Sequence, residues 1–164
     1  IDLSWLGTAA AANGRMTQAD GAAFHRERMQ SRPQDFGPDV LERLRAGAAL
    51  SSSDYSLARR TQVEMRHRLA AFFREYDLVL LPTTPVTAPP IEGADSVAQA
   101  ARLTRFTAPF NLTGVPALSV PCGLADGLPV GLQIVAGHWQ DAKALRAGQM
   151  YERAAGRIVN PQYS

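Results

Sequence analysis

Apolar residues follow two different spacings along this chain. Across Leu57–Tyr76 they recur every three or four residues, and arginines and glutamates occupy the other side. This spacing predicts a long amphipathic helix. In contrast, the apolar runs Ala117–Cys122 and Val130–Ala136 alternate between two faces as strands do, and Asp126-Gly127 between them is a strong turn signal. The pattern therefore predicts an antiparallel hairpin in the same chain as a long helix.

A third strand is predicted over Leu78–Leu81, which is apolar on both sides. We expect such a strand to lie inside a sheet that is covered on both faces. The segment Thr83–Ala100 after it is rich in proline, threonine and alanine and predicts a long loop, and long loops are often functional. The residues Asn111–Pro116, just before the hairpin, predict a polar elbow with turn chemistry.

The first third of the chain predicts shorter helices. Gly14 ends a run of small residues and predicts a stop there, followed by a new helix over Thr17–Gln30. Pro38 suits a first helical turn, and Gly47 predicts the end of that helix. Ser51–Asp54 offers caps for the long helix. The fold class is therefore α/β or α+β, with three strands and flanking helices.

Composition narrows the class of protein. A chain of 164 residues with 46% hydrophobic residues fits one domain with its own core. No apolar run approaches the roughly 20 residues that span a bilayer, and the first residues do not resemble a secretory signal. The single cysteine, Cys122, fits a reducing compartment. We expect a soluble, cytoplasmic protein with no membrane partner.

Charge and chemistry exclude several further classes. The net charge is only +2, and the arginines alternate with acidic residues along the predicted helices, so we expect no nucleic-acid partner. The histidines His25, His67 and His138 lack metal-ligand spacing, and no glycine-rich phosphate motif occurs. We therefore expect no metal and no cofactor. Cys122 alternates with apolar residues, which predicts a buried and inert thiol.

Four segments together resemble a known family. They are TAPFNLTGVPALSVPCG over Thr107–Gly123, LPVGLQIV over Leu128–Val135, DLVLLPTTP over Asp77–Pro85, and the residues around Gly47–Ala58. In this order and spacing they resemble the C-terminal part of the amidase signature family. The resemblance extends over roughly residues 20–155.

The resemblance implies a fold and a chemistry. Members of the family are hydrolases and amidotransferases with a large α/β/α fold around a mixed sheet flanked by helices. A Ser–cis-Ser–Lys triad cleaves a carboxylic amide to an acid and ammonia or an amine, through an acyl-enzyme. By this resemblance, residues 1–164 form a single partial domain, the C-terminal segment of an amidase catalytic domain. The implied partner is a small-molecule amide substrate.

The triad itself has no counterpart here, so no catalytic residue is assigned. The chain has no Gly-Gly-Ser-Ser-Gly run, and its one lysine, Lys143, is expected to be a solvated helix charge. Ser51–Ser53 precede an amphipathic helix and are interpreted as caps rather than nucleophiles. We expect a C-terminal piece of a longer amidase, inactive and poorly stable alone, with the missing N-terminal part of the same enzyme as its partner.

Six residues are predicted to bind substrate. The Asn111 carboxamide can orient a substrate, although satisfying backbone groups of the elbow is the favoured interpretation for a turn-forming residue. Aromatic and hydroxyl groups can line an acyl pocket or simply pack beneath the elbow. The full set is Asn111, Phe106, Thr107, Phe110, Thr83 and Thr84.

Two other functions remain open at this point. One is the glutaminase component of a tRNA-dependent amidotransferase, and the other is a non-catalytic scaffold or binding module. The apolar context of Phe106 after Arg105 favours a general amidase over a glutaminase, for which we expect more charged groups near the elbow. A homodimer is also allowed.

Overall fold

A computed structural model describes residues 2–91 and 96–156. The chain divides into two compact units, residues 1–65 and residues 66–164. The single partial domain expected from the family resemblance stays a prediction. No helix within the described ranges is long and apolar enough to cross a membrane.

The first unit is helical. Its α-helices are α1 (Ala9–Phe24), α2 (Arg26–Ser31), α3 (Pro38–Ala48) and the first part of α4 (Ser52–Phe72), with short 3-10 turns at Ser4–Thr8 and Pro33–Asp35. The predicted stop at Gly14 and start at Thr17 are wrong, because α1 runs through both residues. An interior glycine costs a helix only about 1 kcal/mol, and the neighbouring alanines favour the helix.

Gly47 has a packing role that the pattern did not predict. It is buried within α3, which ends one residue later at Ala48. A Cβ on Gly47 would overlap the main-chain carbonyl group of Gln18 on α1. The missing side chain therefore lets α3 lie directly against the backbone of α1.

The second unit combines a small sheet with helices. After the end of α4 come β1 (Val79–Pro82), α5 (Ser96–Leu103), α6 (Ala108–Thr113), β2 (Ala117–Ala125), β3 (Leu128–Val135) and α7 (Asp141–Ala155). The sheet order is β1-β3-β2, and both strand pairs are antiparallel. The α/β class, with helices flanking the sheet, is confirmed.

The predicted hairpin is confirmed, with longer strands. Asp126 and Gly127 adopt left-handed φ values of 52° and 78°, as a two-residue primed turn requires. The ladder pairs Leu118 with Ile134 and shifts register between Pro121 and Gly123. This bulge accommodates Pro121, which has no N–H to donate.

The prediction that β1 lies inside a sheet covered on both faces is wrong for the described sheet. This strand lies at an edge, where it pairs only with β3. Val79 is buried, but the Leu80 side chain is 60% exposed. An apolar run alone does not distinguish a central strand from an edge strand.

The predicted elbow is largely helical. Residues 111–113 form the end of α6, and only residues 114–116 form a connection to β2. Gly114 ends the helix at a φ of 74°, and its N–H donates to the Phe110 carbonyl at 2.8 Å. A left-handed glycine after the last helical residue is a common helix end. The sequence pattern predicted a turn here and did not predict helix α6.

The core of the second unit lies around β3. Ile134, Val135 and Leu112 are at most 1% exposed. Helix α7 lies against the face of the hairpin that carries Leu118, where a Cβ on Gly148 would overlap the Leu118 side chain. The missing side chain at Gly148 therefore allows α7 to approach the sheet closely.

Candidate functional site

Two hydroxyl groups meet across the central strand of the sheet. Thr83, the first residue after β1, places its Oγ1 atom 2.6 Å from the Oγ atom of Ser119 on β2. The Thr83 N–H also donates to the Gly131 carbonyl of β3 at 2.8 Å. We call the Thr83–Ser119 pair the hydroxyl bridge. It ties the end of β1 to both other strands.

Gly131 makes the hydroxyl bridge possible. A Cβ at this position would stand 2.7 Å from each of the two hydroxyl oxygens and 3.2 Å from the Thr83 Cβ. The requirement is one of space, since any side chain there would enter the gap that the two hydroxyls share. This contact explains why a glycine occupies position 131.

A cleft of about 240 Å³ opens beside the hydroxyl bridge. We call it the threonine cleft. Its lining is mostly apolar and comprises Pro82, Thr84, Pro85, Val86, Thr87, Phe106, Ala125, Pro129 and Val130. The Thr84 hydroxyl donates to the Val86 carbonyl at 2.7 Å, which turns the chain along one wall. Apolar walls with a few placed polar groups are typical of small-molecule sites.

The opposite wall is also held from the sheet. Gln133, only 3% exposed, donates from Nε2 to the Phe106 carbonyl at 3.1 Å. Gln133 pairs with Ser119 in the β2–β3 register, so both side chains share one face of the sheet. From that face, Ser119 therefore holds one wall of the threonine cleft through Thr83, and Gln133 holds the other through Phe106.

The predicted substrate residues do not share one pocket. Thr84 and Phe106 line the threonine cleft, and Thr83 supports it. Thr107 instead donates its hydroxyl to the Thr104 carbonyl at 3.2 Å and precedes α6. Thr107 therefore supports the local turn.

Phe110 and Asn111 line a second cleft, of about 420 Å³, which we call the His138 cleft. Its other lining residues are Arg66, Gly114, Val115, Pro116, His138, Trp139 and Asp141. It adjoins the start of β2 and the end of β3, whereas the threonine cleft adjoins the end of β2 and the start of β3. The two clefts therefore lie at opposite ends of the hairpin.

Two features of the His138 cleft lower the pKa of the His138 imidazole. Burial lowers the pKa of His138, and the nearby Arg66 cation lowers it further. A hydrogen bond to the Gly114 backbone opposes both effects. Next to it, Trp139 adopts a left-handed φ of 62° and is 95% exposed. In its neutral form, an imidazole can accept a hydrogen bond through one ring nitrogen.

The other reactive side chains have structural contacts. Lys143 Nζ donates to Asp77 Oδ1 at 2.9 Å, which ties α7 to the residues before β1. The Ser51 Oγ atom accepts from the Asp54 N–H at 3.0 Å, the contact of a helix cap. Hydrogen bonds from Ser51 lower the pKa of Asp54. Cys122 is half-buried, with Sγ 3.4 Å from the Val130 carbonyl.

No group of three or more histidine, cysteine, aspartate or glutamate side chains within residues 2–91 and 96–156 is placed to hold a metal ion. Sequence reasoning missed Ser119, Gly131 and Gln133. The signal was present, because strand alternation places Gly131 and Gln133 on the face opposite Val130, Leu132 and Ile134. A buried glutamine on a strand indicates a specific partner.

Comparison with known proteins identifies the family. The family model described as Amidase matches residues 3–145, most of the chain. The chain belongs to the amidase signature family. The A subunit of the glutamyl-tRNA(Gln) amidotransferase of Chloroflexus aggregans is 39% identical over 142 residues, which are 83% of this chain and 29% of that protein. Its counterpart in an Exiguobacterium species is 38% identical, over 80% of this chain and 29% of that protein.

Solved amidase signature structures contain the same fold. A crystal structure of an amidase superposes with a TM-score of 0.83 and 33% identity, over 92% of this chain and 36% of that one. The A subunit of the glutamyl-tRNA(Gln) amidotransferase of Thermotoga maritima superposes with a TM-score of 0.79 and 24% identity. The match covers 99% of this chain and 37% of that one. The chain thus spans about a third of these family members.

Proposed function

We propose that this amidase signature chain is the C-terminal portion of a serine amidase, which hydrolyses carboxylic amides to an acid and ammonia or an amine. This portion supplies part of the substrate-binding wall, and the Ser–cis-Ser–Lys triad lies outside these residues. The observation that carries the proposal is the threonine cleft, whose two walls are held by separate polar contacts from one sheet face.

In this proposal, the chain binds the acyl group of the amide. Phe106, Pro129 and Val130 present apolar surface to it, and Thr84 supplies a hydroxyl at the rim. Elsewhere in the enzyme a serine attacks the amide carbon, the amine leaves, and water releases the acid from the acyl-enzyme. Binding energy from such a remote wall stabilises the transition state only if the wall is rigid.

The contacts of Lys143 and Ser51 support this division of roles. Lys143 is paired with Asp77, and Ser51 caps α4 through Asp54. A catalytic lysine needs a serine within hydrogen-bond reach, and the described contacts of Lys143 include none. Neither side chain is therefore assigned to catalysis.

Phe110 and Asn111 give an alternative position for the substrate, in the His138 cleft. The two positions are distinguished by substitution in the enzyme that contains this chain. If the threonine cleft binds the acyl group, Thr84→Val changes the KM and Asn111→Ala leaves it within about twofold. The reverse result places the substrate in the His138 cleft.

A glutaminase function is the second candidate. The relative from Chloroflexus aggregans, at 39% identity, is named as part of an amidotransferase, and this observation favours it. A glutaminase of this type would hydrolyse free glutamine and depend on a partner for full activity. A general amidase would prefer apolar acyl amides and act without a partner. Assays with glutamine and with an apolar amide of matched size separate the two functions.

The main experiment measures hydrolysis of a series of linear amides with acyl chains of two to eight carbons. We expect Phe106→Ala to raise the KM of the longer amides about tenfold. The substitution removes most of one apolar side chain, and burying such a side chain contributes about 1.5–3 kcal/mol. Phe24→Ala is the matched control, since Phe24 is 85% exposed in the first unit. An equal effect of both variants would overturn the assignment of the cleft. Residues 1–164 alone should hydrolyse none of these amides.

A further inference from the structure

We propose that Ser119, acting through Thr83, is a positioning residue for the threonine wall, residues 83–87, and so determines how well the enzyme binds bulky acyl groups. Ser119 itself is not assigned a contact with substrate. The inference rests on the proposed function for the identity of the substrate. Its geometric part, that Ser119 holds residues 83–87 in place, can be tested without any substrate.

The hydroxyl bridge joins two strands that are not neighbours. Adjacent strands lie about 4.8 Å apart, so side chains on β1 and β2 are normally separated by a side chain on β3. Gly131 removes that obstacle, and the Oγ atoms of Thr83 and Ser119 approach to 2.6 Å above it. The three residues act as one unit, because a Cβ on Gly131 would stand 2.7 Å from both hydroxyl oxygens.

The hydroxyl bridge lies at the point where the backbone pairing of β1 with β3 ends. The β1–β3 ladder ends at Pro82, and Thr83 adds one further bond, to the Gly131 carbonyl. Beyond it, the Thr84 hydroxyl bonds within the loop itself, to Val86. The Ser119 hydroxyl therefore provides the last side-chain contact from the sheet before the wall of the cleft begins. Without it, Thr83 keeps one backbone hydrogen bond and a side chain free to rotate.

The opposite wall provides an internal comparison. Phe106 is held by Gln133, which pairs with Ser119 in the β2–β3 register. Loss of the Ser119 hydroxyl removes the contact to the threonine wall and leaves the Gln133–Phe106 bond intact. A local positioning role therefore predicts a change confined to residues 83–87. A general loss of sheet stability would affect both walls.

Hydrogen exchange in the full enzyme tests the geometric part. We expect Ser119→Ala to speed exchange of the Thr83 amide about tenfold, with exchange of the Ile134 and Val135 amides unchanged. Ser119→Thr keeps the hydroxyl at an exposed position and should restore the wild-type rate. Ser56→Ala, at an exposed site on α4, is the control. Unchanged exchange at Thr83, or equal acceleration throughout the sheet, would overturn the proposal.

Kinetics in the same variants test its consequence. Ser119→Ala should raise the KM for bulky amides about fivefold, the factor that one neutral hydrogen bond is worth, and lower kcat less. Thr83→Val should do the same, and the double variant should be no worse than either single one, because both remove one interaction. Additive effects would overturn the proposal. If the wild type cleaves no amide, the proposed function fails, and the exchange experiment still decides the role of Ser119.

Discussion

Gln133 on β3 donates a hydrogen bond from its buried amide to the main-chain carbonyl of Phe106, 3.1 Å away and 27 positions earlier in the chain. The side chain is only 3% exposed, so water cannot replace this partner. A buried polar group contributes to stability only while it is paired, and its loss leaves the partner unsatisfied. This contact therefore links the sheet face to the segment just before α6.

Gln133→Leu should lower the free energy of unfolding by about 1–3 kcal/mol, because the Phe106 carbonyl loses its buried donor. The matched control is Gln149→Leu on the exposed side of α7, which should change it by less than about 0.5 kcal/mol. Urea denaturation of the full enzyme measures both values. Equal values for the two variants would show that the Gln133 contact contributes little.

Gly47→Ala and Gly14→Ala should have opposite effects. A Cβ on Gly47 overlaps backbone atoms of Gln18, which cannot rotate away, so we expect a loss of about 1–3 kcal/mol. Nothing lies within 4 Å of a Cβ on Gly14, inside α1, so the higher helix propensity of alanine should add about 0.8–1 kcal/mol. Thermal denaturation shows whether each substitution raises or lowers the stability of the protein. Stabilisation by both would contradict the close approach of α1 and α3.

His138 predicts a pH dependence. Burial and Arg66 hold the pKa of His138 below 6.5 in the folded chain, so the unfolded chain takes up the proton first as the pH falls. The free energy of unfolding should therefore be fully retained above about pH 6.5 and fall below it, until the pH passes the folded pKa. His138→Gln should reduce this slope, and Arg66→Gln should narrow the pH range over which it occurs.

A slope unchanged in His138→Gln, measured by urea denaturation between pH 5 and 7, would contradict a lowered pKa of His138 in the folded chain. A steeper slope in Arg66→Gln would contradict the attribution to the Arg66 cation.

Ser51→Ala tests the capping interpretation. It should lower the free energy of unfolding by about 1 kcal/mol, because the Asp54 N–H loses its side-chain acceptor. Amide hydrolysis by the folded enzyme should be unchanged. A folded variant without activity would make Ser51 a catalytic candidate after all. Ser53→Ala, at an exposed position one residue before Asp54, is the control.

The sequence was most informative where local chemistry decides the structure. Asp126-Gly127 lies between two alternating apolar runs and strongly favours a two-residue primed turn. The hairpin and its antiparallel pairing could therefore be predicted. The Ser51–Asp54 cap depends on residues three positions apart and was equally predictable. Each of these features is local along the chain.

Features that depend on distant residues were missed. Whether β1 is central or at an edge depends on strands far from it in sequence, and Leu80 alone does not reveal its exposure. The six candidate substrate residues stay predictions. Thr84 and Phe106 line one cleft while Phe110 and Asn111 line the other, and this separation depends on the antiparallel order of the sheet. The role of Gly131 depends on two side chains from other strands.

The central claim is that these residues form a substrate wall and carry no nucleophile. A fluorophosphonate that labels activated serines, followed by peptide mass spectrometry of the full active enzyme, tests it most directly. We expect stoichiometric labelling that abolishes amidase activity, with no adduct on any residue from 1 to 164. An adduct on Ser51, Ser119 or any other serine of this chain, formed in step with the loss of activity, would contradict it.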